Sequence, residues 1–107
     1  MDNWRIDHLK ELLANDPNDE FVLYAIAQEY LKYEYVEEAL EYFLKLKEKN
    51  PDYVGLYYHL GGLYKDIEEP DKATETYAEG IAIARKLGDQ HALSELLNAQ
   101  TNMELGI

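Results

Sequence analysis

The feature that most constrains this chain is a pattern of residue types that recurs after 34 positions. In all the coincident pairs but the last, a large residue recurs as a large one or a small residue as a small one: Leu23/Tyr57, Ile26/Leu60, Ala27/Gly61, Tyr30/Tyr64, Ala39/Ala73, Phe43/Tyr77 and Leu46/Gly80. Such a period is typical of chains that stack copies of one unit, because a single copy cannot bury its own apolar face. The sequence therefore predicts a repeat fold.

Each copy has a helical periodicity. In residues 20–33 the apolar side chains follow the spacing i, i+3, i+4, i+7, and residues 36–49 do the same. Short polar breaks separate the helices, so neighbouring helices must pack antiparallel. No segment alternates as a strand would. The predicted helices span residues 3–14, 19–33, 36–49, 52–66, 71–87 and 90–104.

Small residues recur where the two helices of a hairpin would cross. Ala27 and Gly61 lie on the first helix of each copy, and Ala39 and Ala73 lie on the second. Only Gly or Ala lets two helix backbones approach closely at such a crossing, and large apolar neighbours then fill the layers on either side. The small residues therefore mark the centre of each predicted hairpin.

This pattern resembles the tetratricopeptide repeat, a helix–turn–helix unit of 34 residues with large, small and aromatic residues at fixed offsets. In the first copy the matching residues are Leu23, Ile26, Ala27, Tyr30, Ala39, Phe43 and Pro51. In the second copy they are Tyr57, Leu60, Gly61, Tyr64, Ala73 and Tyr77. The resemblance implies an all-α fold, in which antiparallel helix hairpins stack as a short right-handed superhelix.

The resemblance also implies a domain organisation. We expect one domain over residues 1–107, with a half-repeat helix at 1–19, repeats at 20–53 and 54–88, and a capping helix at 89–107. Two residues depart from the family pattern. Arg85 replaces the closing proline, so the helix can continue to Gly88, which suits a helix C-terminus. Glu34 occupies a turn position where glycine is frequent.

The two end helices are expected to cap the stack, whose outer faces must be polar. In the last helix, Leu93, Leu96 and Leu97 form an apolar stripe, while Glu95, Asn98, Thr101 and Asn102 point away. The first helix is expected to place the following residues largely on one side: Trp4, Ile6, Leu9, Leu12 and Leu13. The alternative is that Trp4 or Ile6 joins two protomers.

The composition excludes several classes of protein. The net charge is −12 at pH 7, which argues against binding nucleic acid or anionic membranes, because both require Lys and Arg. The chain has no cysteine, so disulfides and thiolate chemistry are excluded. No signal peptide and no apolar run of membrane-spanning length is visible, so we expect a cytoplasmic protein. The acidic surface favours partners of basic character.

We expect neither enzymatic activity nor a cofactor or metal. His8, His59 and His91 are far apart in sequence, and none has a second ligand at i,i+4. The pair Gly61–Gly62 is not followed by the Lys and Ser or Thr of a phosphate-binding loop.

Members of the family often bind peptides or partner helices on the concave surface that the first helices line. The resemblance therefore implies a ligand-binding groove, whose residues would be Phe21, Tyr24, Gln28 and Leu31 in one copy and Gly55, Tyr58, Gly62 and Lys65 in the other. Aromatic side chains are frequent binding anchors, so a protein or peptide partner is expected. Only Lys65 is basic in these rows, so the clamp with which some members hold carboxylates is incomplete.

Two questions stay open at this stage. Gly62 either leaves room for a partner backbone or eases the packing beside Gly61. The alternative function is a self-associating scaffold, a homodimer through an end helix, with no separate peptide ligand.

Overall fold

The computed structural model describes residues 3–107, in which six α-helices and no strand are present. The helices are α1 (Trp4–Asn15), α2 (Glu20–Lys32), α3 (Val36–Lys49), α4 (Gly55–Asp66), α5 (Pro70–Leu87) and α6 (Gln90–Leu105). The prediction of an all-α fold is confirmed, and the continuation of α5 past Arg85 to Leu87 is confirmed as well.

The largest error in a helix boundary concerns α4, which was expected from residue 52 and begins at Gly55. The side chain of Asn50 accepts a hydrogen bond from the amide of Asp52 at 3.1 Å. The amide of Tyr53 donates to the carbonyl of Asn50, also at 3.1 Å. Asn in this position stabilises a turn that competes with helix, so α4 starts three residues later than its apolar pattern suggested.

The chain divides into two compact units, of which the first ends at Tyr53 and the second runs from Val54 to Ile107. In the first unit, α2 packs against α3 and α1 packs against α2. In the second unit, α4 packs against α5, α5 packs against α6, and α6 also contacts α4. Each unit therefore contains one helix hairpin and one additional helix.

One expectation about α1 is wrong. Ile6 and Leu9 are buried, but Trp4 is 78% exposed and Leu12 is 42% exposed. At 3.6 residues per turn, Ile6, Leu9 and Leu13 share one side of the helix, whereas Trp4 falls on the opposite side. In α6, Leu96 of the expected apolar stripe is buried, whereas Leu97 is 37% exposed.

Several helices end at a residue in the left-handed conformation, which is a glycine at some ends and a glutamate at others. Gly88 has φ +69°, as expected of a helix C-terminus, and the Asp89 side chain accepts from the amide of Ala92 at 3.0 Å. Glu34 and Glu68, which are also 34 positions apart, take the same left-handed conformation with φ +63° and +61°. The left-handed residue allows the next amide to bond back to the helix, so both helix hairpins turn on a strained glutamate.

Candidate binding faces of α2 and α4

The row of predicted groove residues on α2 is called the α2 face here and comprises Phe21, Tyr24, Gln28 and Leu31. Phe21 is 68% exposed, which is unusual for so large an apolar side chain. The other three residues are half-buried. The amide nitrogen of Gln28 donates to the Tyr24 hydroxyl at 3.0 Å, so these two side chains orient each other.

Two aromatic rings of the first unit, those of Phe43 and Tyr53, contact the ring of Tyr24. Its ring lies 6.4 Å from the Phe43 ring in an edge arrangement and 5.1 Å from the Tyr53 ring. Burial, with a smaller contribution from the Glu20 carboxylate, raises the pKa of Tyr53. The side-chain amide of Asn50 donates to Glu20. The α2 face thus combines a fixed tyrosine with an exposed phenylalanine.

The corresponding row on α4, the α4 face, comprises Gly55, Tyr58, Gly62 and Lys65. Tyr58 is 39% exposed, and its ring meets the His59 ring edge-on at 5.4 Å. Burial lowers the pKa of His59, and the Glu95 carboxylate partly opposes that effect. The Lys65 ammonium donates to the carbonyl oxygen of Ile107 at 2.8 Å. The single cation of this face is therefore already engaged with the end of α6.

The adjacent glycines Gly61 and Gly62 differ in what surrounds them. A Cβ atom added to Gly61 would lie 2.4 Å from a carbon of the Tyr77 ring, so no larger residue fits there without displacing that ring. A Cβ added to Gly62 would meet only the Tyr77 hydroxyl oxygen, at an ordinary 3.8 Å. Packing therefore explains Gly61 and does not explain Gly62.

The side chain of Tyr77, a residue of α5, reaches the α4 face. The repeat pattern indicates only a packing role for this residue. Its side chain is 4% exposed. Burial raises the pKa of its hydroxyl, and the nearby Tyr58 and Asp66 raise it further. The offset of 34 shows that Phe43 and Gln28 in one copy become Tyr77 and Gly62 in the other, but it does not give the direction of the Tyr77 ring.

The remaining residues assigned to repeat packing lie inside the two units. The buried ones are Ala27, Tyr30, Ala39, Phe43, Gly61, Ala73 and Tyr77. Tyr64 is only half-buried, and the Lys72 ammonium lies 5.8 Å from its ring centre.

A cleft of about 450 Å³ opens on the first unit at the start of α1. Its lining residues are Asn3, Ile6, Asp7, Lys10, Tyr30, Tyr35 and Glu38. Lys10 lies 5.3 Å from the Tyr30 ring centre, and a hydrogen bond with Tyr30 raises the pKa of Lys10. Because the lining mixes one ammonium with two carboxylates, its charge does not select a class of ligand.

Within residues 3–107, no group of His, Asp and Glu side chains is arranged to hold a metal ion. No helix in that range has the length and apolar composition needed to cross a bilayer.

The chain is similar to several proteins of known structure. A tetratricopeptide repeat domain protein from Salinibacter ruber is 50% identical, with a TM-score of 0.78 over 80% of this chain and 96% of that one. A Bordetella parapertussis protein is 20% identical, with a TM-score of 0.85 over 99% of this chain and 91% of that one.

The TPR2B domain of yeast Sti1, in a complex with pHsp70, has a TM-score of 0.87 over 95% of this chain and 82% of that one, at 18% identity. The similarities to the Bordetella parapertussis protein and to the Sti1 domain, at 20% and 18% identity, concern the fold alone. The sequence matches no protein-family model, and a comparison with curated protein sequences finds no match.

Proposed function

The chain belongs to the tetratricopeptide repeat family, and on that premise we propose that it is a protein–protein interaction module. The first helix of each repeat, α2 or α4, presents the contact face, and the ligand is a peptide or a partner helix. No catalytic role is proposed. The observation that carries the proposal is the exposure of Phe21 at 68% and of Tyr58 at 39%, each on the row of its helix that the family resemblance assigns to the binding groove.

The α2 face has the features of a binding anchor. Phe21 and the ring of Tyr24 offer apolar area with few rotatable bonds, which keeps the entropy cost of binding low. Tyr24 is oriented before any ligand arrives, because the ring contacts with Phe43 and Tyr53 and the hydrogen bond from Gln28 hold it. Such preorganisation favours binding of an external side chain.

Charge favours a basic partner. The chain carries 22 acidic and 10 basic side chains, so its field attracts cationic segments and repels anionic ones. On the α4 face the only ammonium, that of Lys65, already donates to the Ile107 carbonyl. An acidic peptide would therefore have to displace an existing hydrogen bond to gain its one favourable charge contact.

The complex of the Sti1 domain with pHsp70 supports this proposal as a precedent for the fold. It does not transfer its ligand, because the identity of that domain to this chain is 18%. A partner held through its carboxylates would need basic side chains in the rows where this chain has only Lys65.

The test is a selection of random dodecapeptides displayed on phage against the full-length chain, followed by fluorescence anisotropy with the enriched peptides. We expect the double variant Phe21→Ala/Tyr58→Ala to lose at least tenfold in affinity, since each removes an exposed aromatic anchor. Circular dichroism should show unchanged helicity, because Phe21 is largely solvated and Tyr58 is partly solvated. Failure to enrich any peptide, or equal binding by the variant, contradicts the proposal.

A second candidate function is self-association through α1. The observation in its favour is Trp4, whose side chain is 78% exposed. Light scattering at high micromolar concentration tests it, with Trp4→Ala as the matched variant. A dimer that disappears in Trp4→Ala supports this candidate, and a strictly monomeric wild-type chain rules it out.

A further inference from the structure

Gly62 lies in the interior of α4, where glycine is less favourable than alanine because it loses more backbone freedom on folding. The neighbouring Gly61 is required by the Tyr77 ring, but the Cβ position of Gly62 is open. A residue that weakens its helix and is not required by packing needs another explanation. Close approach of a ligand is one of the few that remain.

We propose that Gly62 is the point at which the main chain of a basic peptide crosses α4 and forms a hydrogen bond with the Tyr77 hydroxyl. This inference rests on the proposed function, since it assumes that the α4 face binds a partner. It adds a specific contact at Gly62 and a second residue, Tyr77 of α5, to the basic ligand already proposed.

The space over Gly62 leads to one polar atom. The Tyr77 hydroxyl oxygen would lie 3.8 Å from a Cβ at residue 62, and, apart from the adjacent residues and the backbone of α4 itself, no other atom comes within 4 Å of that point. A ligand atom that rests in van der Waals contact on the bare Gly62 Cα lies beyond the Cβ point, and the Tyr77 hydroxyl is the side-chain group that borders that space. The proposed hydrogen bond forms when the atom lies within about 3 Å of the hydroxyl. Because Gly62 has no Cβ, a peptide backbone can lie directly on α4 at this position.

The Tyr77 hydroxyl is preorganised to form a hydrogen bond with a ligand. The ring is enclosed, with only 4% of the residue exposed, and it is fixed against Gly61. Among residues 3–107 we find no hydrogen-bond partner for the hydroxyl. Its raised pKa keeps the proton in place at neutral and mildly alkaline pH. The group can therefore donate to a peptide carbonyl or accept from a peptide amide.

The first unit lacks this arrangement at the equivalent positions. Phe43 takes the place of Tyr77 and has no hydroxyl, and Gln28 takes the place of Gly62 and fills the position with a side chain. That Gln28 side chain donates to Tyr24. The open space over Gly62, here called the notch, and the Tyr77 hydroxyl that borders it are therefore features of α4 and α5 together. The repeat pattern alone requires neither.

The charges around the notch indicate a basic ligand. The Asp66 carboxylate is close enough to the Tyr77 hydroxyl to raise its pKa. The Glu95 carboxylate likewise acts to raise the pKa of His59. Lys65 is the one cation of the face, and its ammonium is engaged with Ile107. A Lys or Arg side chain next to the crossing peptide bond would gain the Asp66 carboxylate as a partner.

The test uses the full-length chain and the peptides enriched on it, with two variants. Gly62→Ala should raise the melting temperature by about 4–8 °C, because alanine is the better helix former and has room. It should nevertheless lower peptide affinity at least tenfold, since the methyl group blocks the crossing. Tyr77→Phe keeps the ring and should lower affinity about three- to tenfold, the loss of one hydrogen bond.

The matched control is Gly61→Ala, which should lower the melting temperature because the added methyl group meets the Tyr77 ring. Opposite shifts for two adjacent glycines would show that the structural premise holds, whatever the peptides do. The decisive pattern is a Gly62→Ala protein that is more stable and binds less well.

Three outcomes overturn the inference. If the enriched peptides are lost by Phe21→Ala/Tyr58→Ala but bind Gly62→Ala and Tyr77→Phe normally, the proposed function stands and the Gly62 contact is wrong. If the peptides depend on Gly62 but are acidic, the assignment of a basic ligand is wrong. If no variant of either face changes binding, both proposals fail together.

Discussion

The α2–α3 and α4–α5 hairpins bury equivalent positions but divide the volume differently between their two helices. In the first hairpin, Leu23 and Leu46 are both fully buried. In the second, the equivalent residues are Tyr57 and Gly80, and a Cβ on Gly80 would lie 2.5 Å from the Cβ of Tyr57. The absence of a side chain on Gly80 lets α5 approach the larger Tyr57 closely, so the smaller residue on one helix accompanies the larger one on the other.

The hairpin crossing shows the same compensation. Ala27 and Phe43 are fully buried in the first hairpin, and their equivalents Gly61 and Tyr77 are buried in the second. The phenol of Tyr77 is larger than the ring of Phe43, and the residue opposite is smaller by one methyl group. The comparison teaches that a repeat can tolerate degenerate positions when the sum of the facing volumes is kept.

The largest expected effect comes from breaking this compensation with Gly80→Leu, which places the residue of the first hairpin opposite Tyr57. We expect a loss of about 3 kcal/mol in the free energy of unfolding, at the upper end for overpacking. The clash involves the Cβ of Tyr57, which is tied to the backbone and cannot swing away. Urea unfolding followed by far-UV circular dichroism measures it.

The double variant Tyr57→Leu/Gly80→Leu recreates the pair of the first hairpin but keeps a Cβ at residue 57, so it should recover only the part of that loss that comes from the Tyr57 ring, a coupling of about 1 kcal/mol. Ala78→Leu, an exposed position of α5, is the control and should change stability by less than about 0.5 kcal/mol. Simple additivity of the two single variants would show that the residues do not compensate each other.

The fold was predictable because the repeat signal is spread over many coupled positions, so that individual substitutions such as Leu46 to Gly80 do not erase it. The position of Trp4 was not predicted correctly, because a large apolar residue was assumed to join the nearest apolar stripe. Its helical angle relative to Ile6 and Leu9 contained the correct answer.

The contact between Gly62 and Tyr77 lay beyond the sequence for a different reason. Two adjacent glycines look equivalent in the sequence, and only the direction of the Tyr77 ring distinguishes the one that packing requires from the one that stays open. The choice depends on side-chain direction across a hairpin, which spacing alone does not determine.

A smaller effect should come from the one buried charge that distinguishes the hairpins. Glu29 is 8% exposed, whereas its equivalent in the second hairpin is Leu63, which is 2% exposed. The Arg5 Nε lies 3.1 Å from a Glu29 carboxylate oxygen. We expect Arg5→Ala to cost about 1–2 kcal/mol, because it leaves a buried carboxylate without its cation and Arg5 itself is largely solvated.

Chemical denaturation of matched variants measures this cost. Adding Glu29→Leu to Arg5→Ala should restore stability, since the first hairpin then has the same apolar residue as the second. If Arg5→Ala is neutral, the Glu29 carboxylate does not depend on that cation, and the role assigned to the ion pair is wrong.

The smallest effect concerns the turns, where the two hairpins agree with each other and differ from the ends of α5 and α6. Glu34 and Glu68 have φ near +60°, whereas Gly88 and Gly106 occupy the same conformation after α5 and α6. A residue with a Cβ is strained there, so Glu34→Gly and Glu68→Gly should each stabilise the protein by about 0.5–1 kcal/mol. Glu48→Gly, on an exposed face of α3, should instead cost about 1 kcal/mol, which separates relief of strain from the general effect of glycine. Urea midpoints decide between them: a loss of stability at both turns would mean that each glutamate side chain contributes more than its backbone strain costs.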